Sequence, residues 1–265
     1  MKLKMIALAA MMAAGSASAA IDTGATGNGE LFFNIWWTGA GSQSYTRDLN
    51  TSIDAFDADL TNGMNLAFTS DANLDTFMNG AAGKTLFWNV VATDNAGDYR
   101  VLTTFGYVNS SNLNGYALPA TGFKTDDTSR LTGNKVEIFA LSVNSVLAGN
   151  DSVIRNTGTT GYSGVDASFG KKIGNTTTFL NHGVLANDSE ANGLKMMRID
   201  ALGTSTDDTH YVELGTASDN LNVWFDANKT LNFAAAAPVP EADTYAFMAL
   251  GMGLVGFLAR RRKAV

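Results

Sequence analysis

The chain has 265 residues, of which 45% are hydrophobic and 16% charged, and it contains no cysteine. The lack of cysteine excludes disulfides, zinc–thiolate sites and a cysteine nucleophile. Residues 20–239 carry 12 basic and 23 acidic side chains, a net charge of −11. Because a nucleic-acid-binding surface has to be positive, we expect no nucleic acid among the partners.

The first 19 residues have the pattern of a secretory signal peptide. Two lysines precede an apolar run of ten residues, and Ala17 and Ala19 then supply the small side chains that a signal peptidase requires. We expect export through the Sec pathway and cleavage after Ala19, with Ala20 as the alternative position. A buried N-terminal helix is the structural alternative for this segment.

Residues 20–233 form the predicted body, which we expect to be mainly β. Segments rich in Val, Ile, Thr and aromatic residues alternate with turns rich in Gly, Asn, Asp and Ser, and this favours strands over helices. The predicted strands are Glu30–Trp37, Lys84–Thr93, Tyr99–Tyr107, Lys135–Val143, Thr176–Val184, Gly193–Leu202, His210–Gly215, Asn220–Asp226 and Thr230–Phe233. The fold class that this pattern predicts is an antiparallel, jelly-roll-like β-sandwich.

Helices are expected only within residues 50–80, where apolar residues recur at helical spacing. One or two short helices fit this segment, and Asp71 is placed to cap the second one. Residues 109–130 and 149–170 are polar and are predicted to be long surface loops.

Asp94, Asn95 and Asp98 lie in the loop between two predicted strands. Their side chains offer oxygen atoms, the ligands that calcium prefers in flexible loops. The sequence therefore suggests a candidate calcium site, with an ordinary hairpin turn as the alternative.

Trp36 and Trp37 are adjacent in the first predicted strand. Neighbouring residues of a regular strand face opposite sides of the sheet, so one of the two indoles is a candidate for stacking against a sugar. Packing in the hydrophobic core is the alternative for both.

Catalytic residues are not evident in the sequence. Neither of the two histidines, His182 and His210, lies in a G-x-S-x-G or an H-E-x-x-H motif. Carboxylate pairs such as Asp207 and Asp208 are the residues expected in turns. We expect the protein not to be an enzyme, and we keep an extracellular hydrolase as an alternative.

The C-terminus combines three unlike elements in order. Residues 234–244 form a tether that contains Val239, Pro240 and Glu241, and residues 245–259 form an apolar stretch without charges. As a helix this stretch is about 22 Å long, short of a hydrocarbon core of about 30 Å, so the flanking residues have to cover the difference. The cytoplasmic tail, residues 260–265, then begins with four basic residues that act as the topology anchor. These residues are Arg260, Arg261, Arg262 and Lys263.

This order resembles the PEP-CTERM sorting domain of Gram-negative bacteria, with Ala242 in place of the second proline of the family signature. The resemblance implies a membrane protease of the exosortase type, which cuts near Pro240 and Glu241. It also implies residence in the inner membrane before processing and at the cell surface or in the extracellular matrix afterwards. A permanent, uncut single-pass anchor is the alternative. The opening of the body, with Gly29–Trp37 and Ser44–Leu49, is similar only to uncharacterised members.

Members of this family occur in organisms that make exopolysaccharide and biofilm. The resemblance thus implies a non-catalytic surface or matrix protein that is associated with exopolysaccharide. A carbohydrate-binding module with a defined sugar site and an extracellular hydrolase are the two alternatives.

Overall fold

The structure of the protein is a computed structural model. It describes residues 20–25, 27–61, 63–94, 96, 100–105, 107–109, 112–113, 116–117, 126–164, 183–201, 209–216 and 219–235. The predicted signal peptide, the tether beyond Ala235, the predicted transmembrane helix and the basic tail lie outside the described residues.

Sixteen strands and three α-helices occur in the described residues. The strands are β1 (Glu30–Trp37), β2 (Gln43–Ser52), β3 (Asn65–Phe68), β4 (Leu86–Thr93), β5 (Val101–Phe105), β6 (Tyr107–Asn109), β7 (Asn112–Leu113), β8 (Tyr116–Ala117), β9 (Ser152–Asn156), β10 (Gly183–Val184), β11 (Lys195–Ala201), β12 (Thr209–Glu213), β13 (Gly215–Thr216), β14 (Asp219–Asn220), β15 (Asn222–Phe225) and β16 (Leu231–Ala234). The helices are α1 (Ile53–Thr61), α2 (Ala72–Gly80) and α3 (Asp126–Leu147).

The strand pairs are all antiparallel, which confirms the predicted mainly β, antiparallel class. The largest sheet has the order β12-β11-β5-β4-β1-β2-β9, with β10 beside β4. A second sheet has the order β15-β16-β3. The two smaller sheets are the β6-β7-β8 meander and the β13-β14 hairpin. The jelly-roll-like sandwich stays a prediction.

One hydrophobic core contains residues from both main sheets and from two helices. In β1 the side chains of Phe33 and Ile35 point into it, and in β16 those of Leu231 and Phe233 do so. Both pairs follow the two-residue repeat of a strand. Trp88 of β4 is fully buried in the same core. The core therefore includes side chains from one face of the large sheet and from one face of the β15-β16-β3 sheet.

Helices α1 and α2 confirm the prediction for residues 50–80. Each presents an apolar stripe to the core, Ile53 and Phe56 in α1 and Leu74 and Phe77 in α2. The Asp71 carboxylate accepts a hydrogen bond from the Leu74 N–H at 2.7 Å, so Asp71 caps α2 as expected.

Helix α3 overturns the strand predicted at Lys135–Val143. Its buried residues lie at positions i, i+3, i+4, i+7 and i+11, the pattern of one helix face. They are Val136, Phe139, Ala140, Val143 and Leu147. Phe139 stacks on Phe32 of β1 at a ring-centroid distance of 5.9 Å, so α3 covers the face of the large sheet that points away from the core. The predicted loops at 109–130 and 149–170 are wrong in part, because they include the start of α3 and all of β9.

The face of the large sheet beneath α3 contains buried polar side chains. Asn34 donates to the Asn89 side-chain oxygen at 3.0 Å and accepts from the Thr46 hydroxyl at 2.8 Å. These three residues, on β1, β2 and β4, are at most 4% exposed. Strand β2 is therefore buried on a polar face, and its sequence alternates only weakly in hydrophobicity. Strands β2, β3 and β9 were not predicted from the sequence.

The other predicted strands match observed ones to within a few residues, apart from Thr176–Val184. Of that segment the structure describes only β10.

Candidate functional site

The C-terminal end of the body is fixed by strand pairing. Residue Ala235 follows β16 directly, and its N–H donates to the Met64 carbonyl at 3.0 Å. The Met64 N–H donates in return to the Ala235 carbonyl at 3.1 Å. Met64 and Ala235 are 3% and 8% exposed. This reciprocal pair, which we call the exit rung, includes Ala235, the last residue that the structure describes.

The N-terminal end of the body is held equally closely. Ile21 is 2% exposed, and its backbone is bound by the side chain of Asn144 on α3. The Ile21 N–H donates to the Asn144 oxygen at 2.8 Å, and the Asn144 amide nitrogen donates to the Ile21 carbonyl at 2.9 Å. Of the predicted cleavage residues, Ala17 and Ala19 lie outside the described residues. Ala20 is the residue directly before this buried anchor.

Asp94, the first candidate calcium ligand, lies where the predicted β4–β5 hairpin begins. The Asp94 N–H donates to the Arg100 carbonyl at 2.7 Å, which closes the hairpin. Asp94 is 2% exposed. Its carboxylate accepts two hydrogen bonds from the Arg100 guanidinium, at 2.9 and 3.1 Å, and one from the Ala96 N–H at 3.1 Å. Asn95 and Asp98 lie outside the described residues, so calcium binding there stays a prediction.

Arg100 also binds Asp54 of α1, at 2.6 Å. Burial alone would lower the pKa of Arg100, but its hydrogen bonds and ion pairs with Asp54 and Asp94 raise the pKa above the usual value. Arg100 is therefore a permanently charged link between the hairpin and α1. Asp57, one turn further along α1, pairs with Arg198 of β11 at 2.5 Å.

Both tryptophans that the sequence singled out for sugar stacking are buried. Trp36 and Trp37 are 2% and 3% exposed, and they face opposite sides of the sheet as predicted for adjacent strand residues. The Trp37 ring lies 4.9 Å from the Phe77 ring in the core, and the Trp36 ring lies 6.2 Å from that of Phe87. Neither ring presents its face to solvent, and sugar stacking by them stays a prediction without support from this geometry.

Trp224 occupies the outer face of the β15-β16-β3 sheet. Its neighbours Val223 and Phe225 are buried in the core, whereas Trp224 is half-buried. Asn232 of β16 is its cross-strand partner, and the exposed Ala67 of β3 follows in the same row. Sequence reasoning did not separate Trp224 from the other three tryptophans, because all four lie in similar apolar runs.

Of the two histidines, the structure describes only the backbone of one. His182 lies outside the described residues, and His210 pairs through its backbone with Asp200 between β12 and β11. Within the residues that the structure describes, no three His, Asp or Glu side chains are grouped so that they could hold a metal ion.

Asp48 of β2 is an ionisable group that the sequence did not indicate. It is 1% exposed, and its Oδ1 accepts the Asn50 N–H at 2.8 Å. Its Oδ2 is buried without a hydrogen-bond partner. Burial raises the pKa of Asp48 to about 7, and the carboxylates of Glu30 and Asp151 add to this against the opposing Asn50 hydrogen bond and Arg47 charge. This carboxyl group is thus poised to titrate near neutral pH.

Glu30 lies beside Asp48 at the start of β1. Burial raises the pKa of Glu30, while its hydrogen bond from the Asp22 N–H, at 2.8 Å, acts against this and the charge of Asp22 adds to it. The pKa values of two neighbouring carboxyl groups are therefore both raised beneath the N-terminal segment of the body.

No helix in the described part of the chain is both long and apolar enough to cross a membrane. The predicted spanning segment, residues 245–259, and the anchor residues 260–263 lie outside that part. The same holds for Val239, Pro240 and Glu241 of the sorting motif.

Comparison with protein families finds one match. The model of the PEP-CTERM protein-sorting motif matches residues 238–263, which confirms the resemblance found in the sequence. The architecture and this match together define an antiparallel β protein with a C-terminal sorting signal. The chain carries a PEP-CTERM protein-sorting motif that starts three residues after the exit rung. No curated protein and no solved structure matches the chain.

Proposed function

We propose that the chain is an exported protein whose tail is processed by an exosortase and whose β body is then delivered to the cell surface or the extracellular matrix. The observation that carries the proposal is the match of residues 238–263 to the PEP-CTERM protein-sorting motif. The signal-peptide pattern of residues 1–19 supports the same route. The anchored position of Ala235 supports it too, because this residue lies three positions before the start of the motif.

In this proposal, residues 245–259 cross the inner membrane before processing. Support comes from the absence of charge in this stretch and from the four basic residues that follow it. The body is outside the cytoplasm and residues 260–265 are inside. Signal peptidase and the exosortase are the two processing partners.

The body itself acts, in this proposal, as a non-catalytic component associated with exopolysaccharide. The carboxylates of α1 support a structural use of its acidic residues, since Asp54 and Asp57 are paired with arginines. A β-sandwich is the architecture we propose for the body, and it is supported by the core that both main sheets share.

Mass spectrometry of the two termini of the mature protein tests the sorting proposal. From cells with an active exosortase we expect an N-terminus at Ala20 and a C-terminus near Pro240. Cells without the enzyme should retain the complete tail in the membrane fraction. Finding only uncut, detergent-requiring protein in cells with a functioning exosortase would overturn the proposal.

A carbohydrate-binding role is the second candidate function, and the position of Trp224 favours it. The outer face of the β15-β16-β3 sheet places this half-buried indole among amide and alanine side chains without a carboxylate in its cross-strand rows. A half-buried aromatic ring among amide side chains suits the apolar face of a sugar. The other members of these rows are Asn222, Asn232, Ala234, Asn65 and Ala67.

A glycan array tests this second candidate with two variants. Trp224→Ala should abolish binding to a polysaccharide, whereas Trp224→Phe, which keeps an aromatic ring, should retain most of it. Equal binding by the wild type and Trp224→Ala would exclude this face as the sugar site.

A further inference from the structure

The distance between the folded body and the cleavage motif is limited by the exit rung. Met64 and Ala235 hold each other through two backbone hydrogen bonds, and the pairing continues without interruption into β3 and β16. Pulling more chain out of the body would break this ladder and expose Phe233, which is 1% exposed. Ala235 is therefore the point from which the length of the tail has to be counted.

Pro240 is the fifth residue after Ala235. A fully extended chain gains at most about 3.6 Å per residue, so Pro240 lies no more than about 18 Å from Ala235. A folded body of about 220 residues has a radius of gyration of about 17 Å. Because these two lengths are similar, we expect the body to contact a membrane protease that binds Pro240 and Glu241.

The same limit applies between the motif and the membrane. Tyr245, where the apolar stretch begins, is likewise the fifth residue after Pro240, so the cleavage site lies within about 18 Å of the hydrocarbon core. The enzyme has to reach the motif in this narrow space between the body and the bilayer.

The surface around the exit rung is formed by the end of α1 and the start of β3, and we call it the exit corner. Gly63 donates its N–H to the Leu60 carbonyl at 3.3 Å, which turns the chain from α1 towards β3. Thr61 and Asn65 are exposed on either side of this turn. Asn222 of β15 closes the corner and accepts a hydrogen bond from the Lys195 ammonium at 2.6 Å.

We propose that the exit corner is the surface that the body presents to the exosortase during cleavage, with the exit rung setting how far the motif reaches into the enzyme. This inference rests on the proposed function and adds an orientation and a contact surface to it. The partner is the face of the protease that lies outside the cytoplasm, next to its active site.

Tether length gives the first test. Deleting Ala236 and Ala237 leaves the matched motif intact and shortens the reach by about 7 Å. We expect the cleavage rate, measured by pulse-chase immunoblotting in cells, to fall by about tenfold or more, because the scissile segment is misplaced. Replacing the two deleted residues by Gly-Ser should restore the rate.

A matched pair of substitutions gives the second test. Asn65 is exposed at the exit corner, and Asn228 is exposed in the β15–β16 turn at the opposite end of the same sheet. Asn65→Trp should slow cleavage several-fold, whereas Asn228→Trp should not change it. An insertion of about six Gly/Ser residues after Ala237 adds about 20 Å of reach and should abolish the effect of Asn65→Trp.

These outcomes separate the inference from the proposed function. Cleavage of the shortened chain at the wild-type rate, or equal rates for the two tryptophan variants, would overturn the inference and leave the sorting proposal intact. If the wild type and the chain with the longer tether are both left uncut by an active exosortase, the proposed function fails and the inference fails with it. Thermal unfolding of each purified variant verifies that the body is folded.

Discussion

Asp48 shows how a single buried side chain makes the stability of the body depend on pH. Its folded-state pKa of about 7 lies above the usual value of 3.8 because the carboxyl group is withdrawn from water beside Glu30 and Asp151. The folded state therefore binds this proton more tightly than the unfolded state does. The stabilisation is complete below pH 3.8 and is lost as the pH rises to about 7.

We expect Asp48→Asn to remove this dependence. From pH 4 to pH 7 the free energy of unfolding of the variant should increase relative to that of the wild type, by up to about 1.4 kcal/mol per pH unit. Urea denaturation at several pH values measures the difference. Phe233→Ala, which removes a core side chain on the other side of the large sheet from Asp48, serves as a control and should shift the free energy by the same amount at every pH. Parallel curves for Asp48→Asn and the wild type would contradict the assignment.

Residue-scale predictions from the sequence succeed where a local rule governs the side chain. The capping role of Asp71 follows from its place before an apolar helical repeat, and the Asp94 hairpin follows from its turn residues. The titration of Asp48 depends on Glu30 and Asp151, which come from other parts of the chain. No local pattern contains that information.

At the scale of elements, α3 shows why alternation in hydrophobicity alone does not identify a strand. The segment Lys135–Val143 alternates in hydrophobicity, but Ile138 and Leu141 are 57% and 52% exposed while Ala140 is 1% exposed. The buried residues Val136, Phe139, Ala140 and Val143 follow the helical repeat, but the apolar Ile138 and Leu141 between them hide it. Strand β2 was missed because only its core face, with Tyr45 and Leu49, is apolar. On its other face Ser44, Thr46 and Asp48 are buried.

Two alanine substitutions distinguish the helix from the predicted strand. In a strand, positions 139 and 141 would share a face. In α3, Phe139 is 7% exposed and packs on Phe32, whereas Leu141 is 52% exposed. We expect Phe139→Ala to cost about 3–5 kcal/mol of unfolding free energy and Leu141→Ala less than about 0.5 kcal/mol, as measured by chemical denaturation. Similar costs for both would favour the strand.

At the scale of the whole molecule, the sorting motif and the surface that presents it depend on different information. The sequence alone located the sorting motif, because a sorting signal is a linear pattern that needs no tertiary contact to be recognised. It could not locate the exit corner, because β3 and β16 are about 165 residues apart and meet only in the folded body. The sequence therefore predicts the destination of the protein, and the fold determines how the tail is presented.

Truncation tests the importance of β16, the middle strand of the smaller main sheet. A chain that ends at Ala237 keeps the exit rung and should unfold cooperatively, like the processed protein. A chain that ends at Lys229 lacks β16, so β3 and β15 lose their shared neighbour. We expect it to lose the cooperative thermal transition, as followed by circular dichroism. An unchanged transition would show that β16 contributes little to the body.

The pairing of β3 with β16 also determines when the body can finish folding during export. Secretion delivers the chain from its N-terminus, so β3 emerges early and has no neighbour on its sheet until residues 231–234 arrive. Those residues are among the last to leave the translocon before the sorting motif. The strand that completes the β15-β16-β3 sheet therefore leaves the translocon directly before the sorting motif.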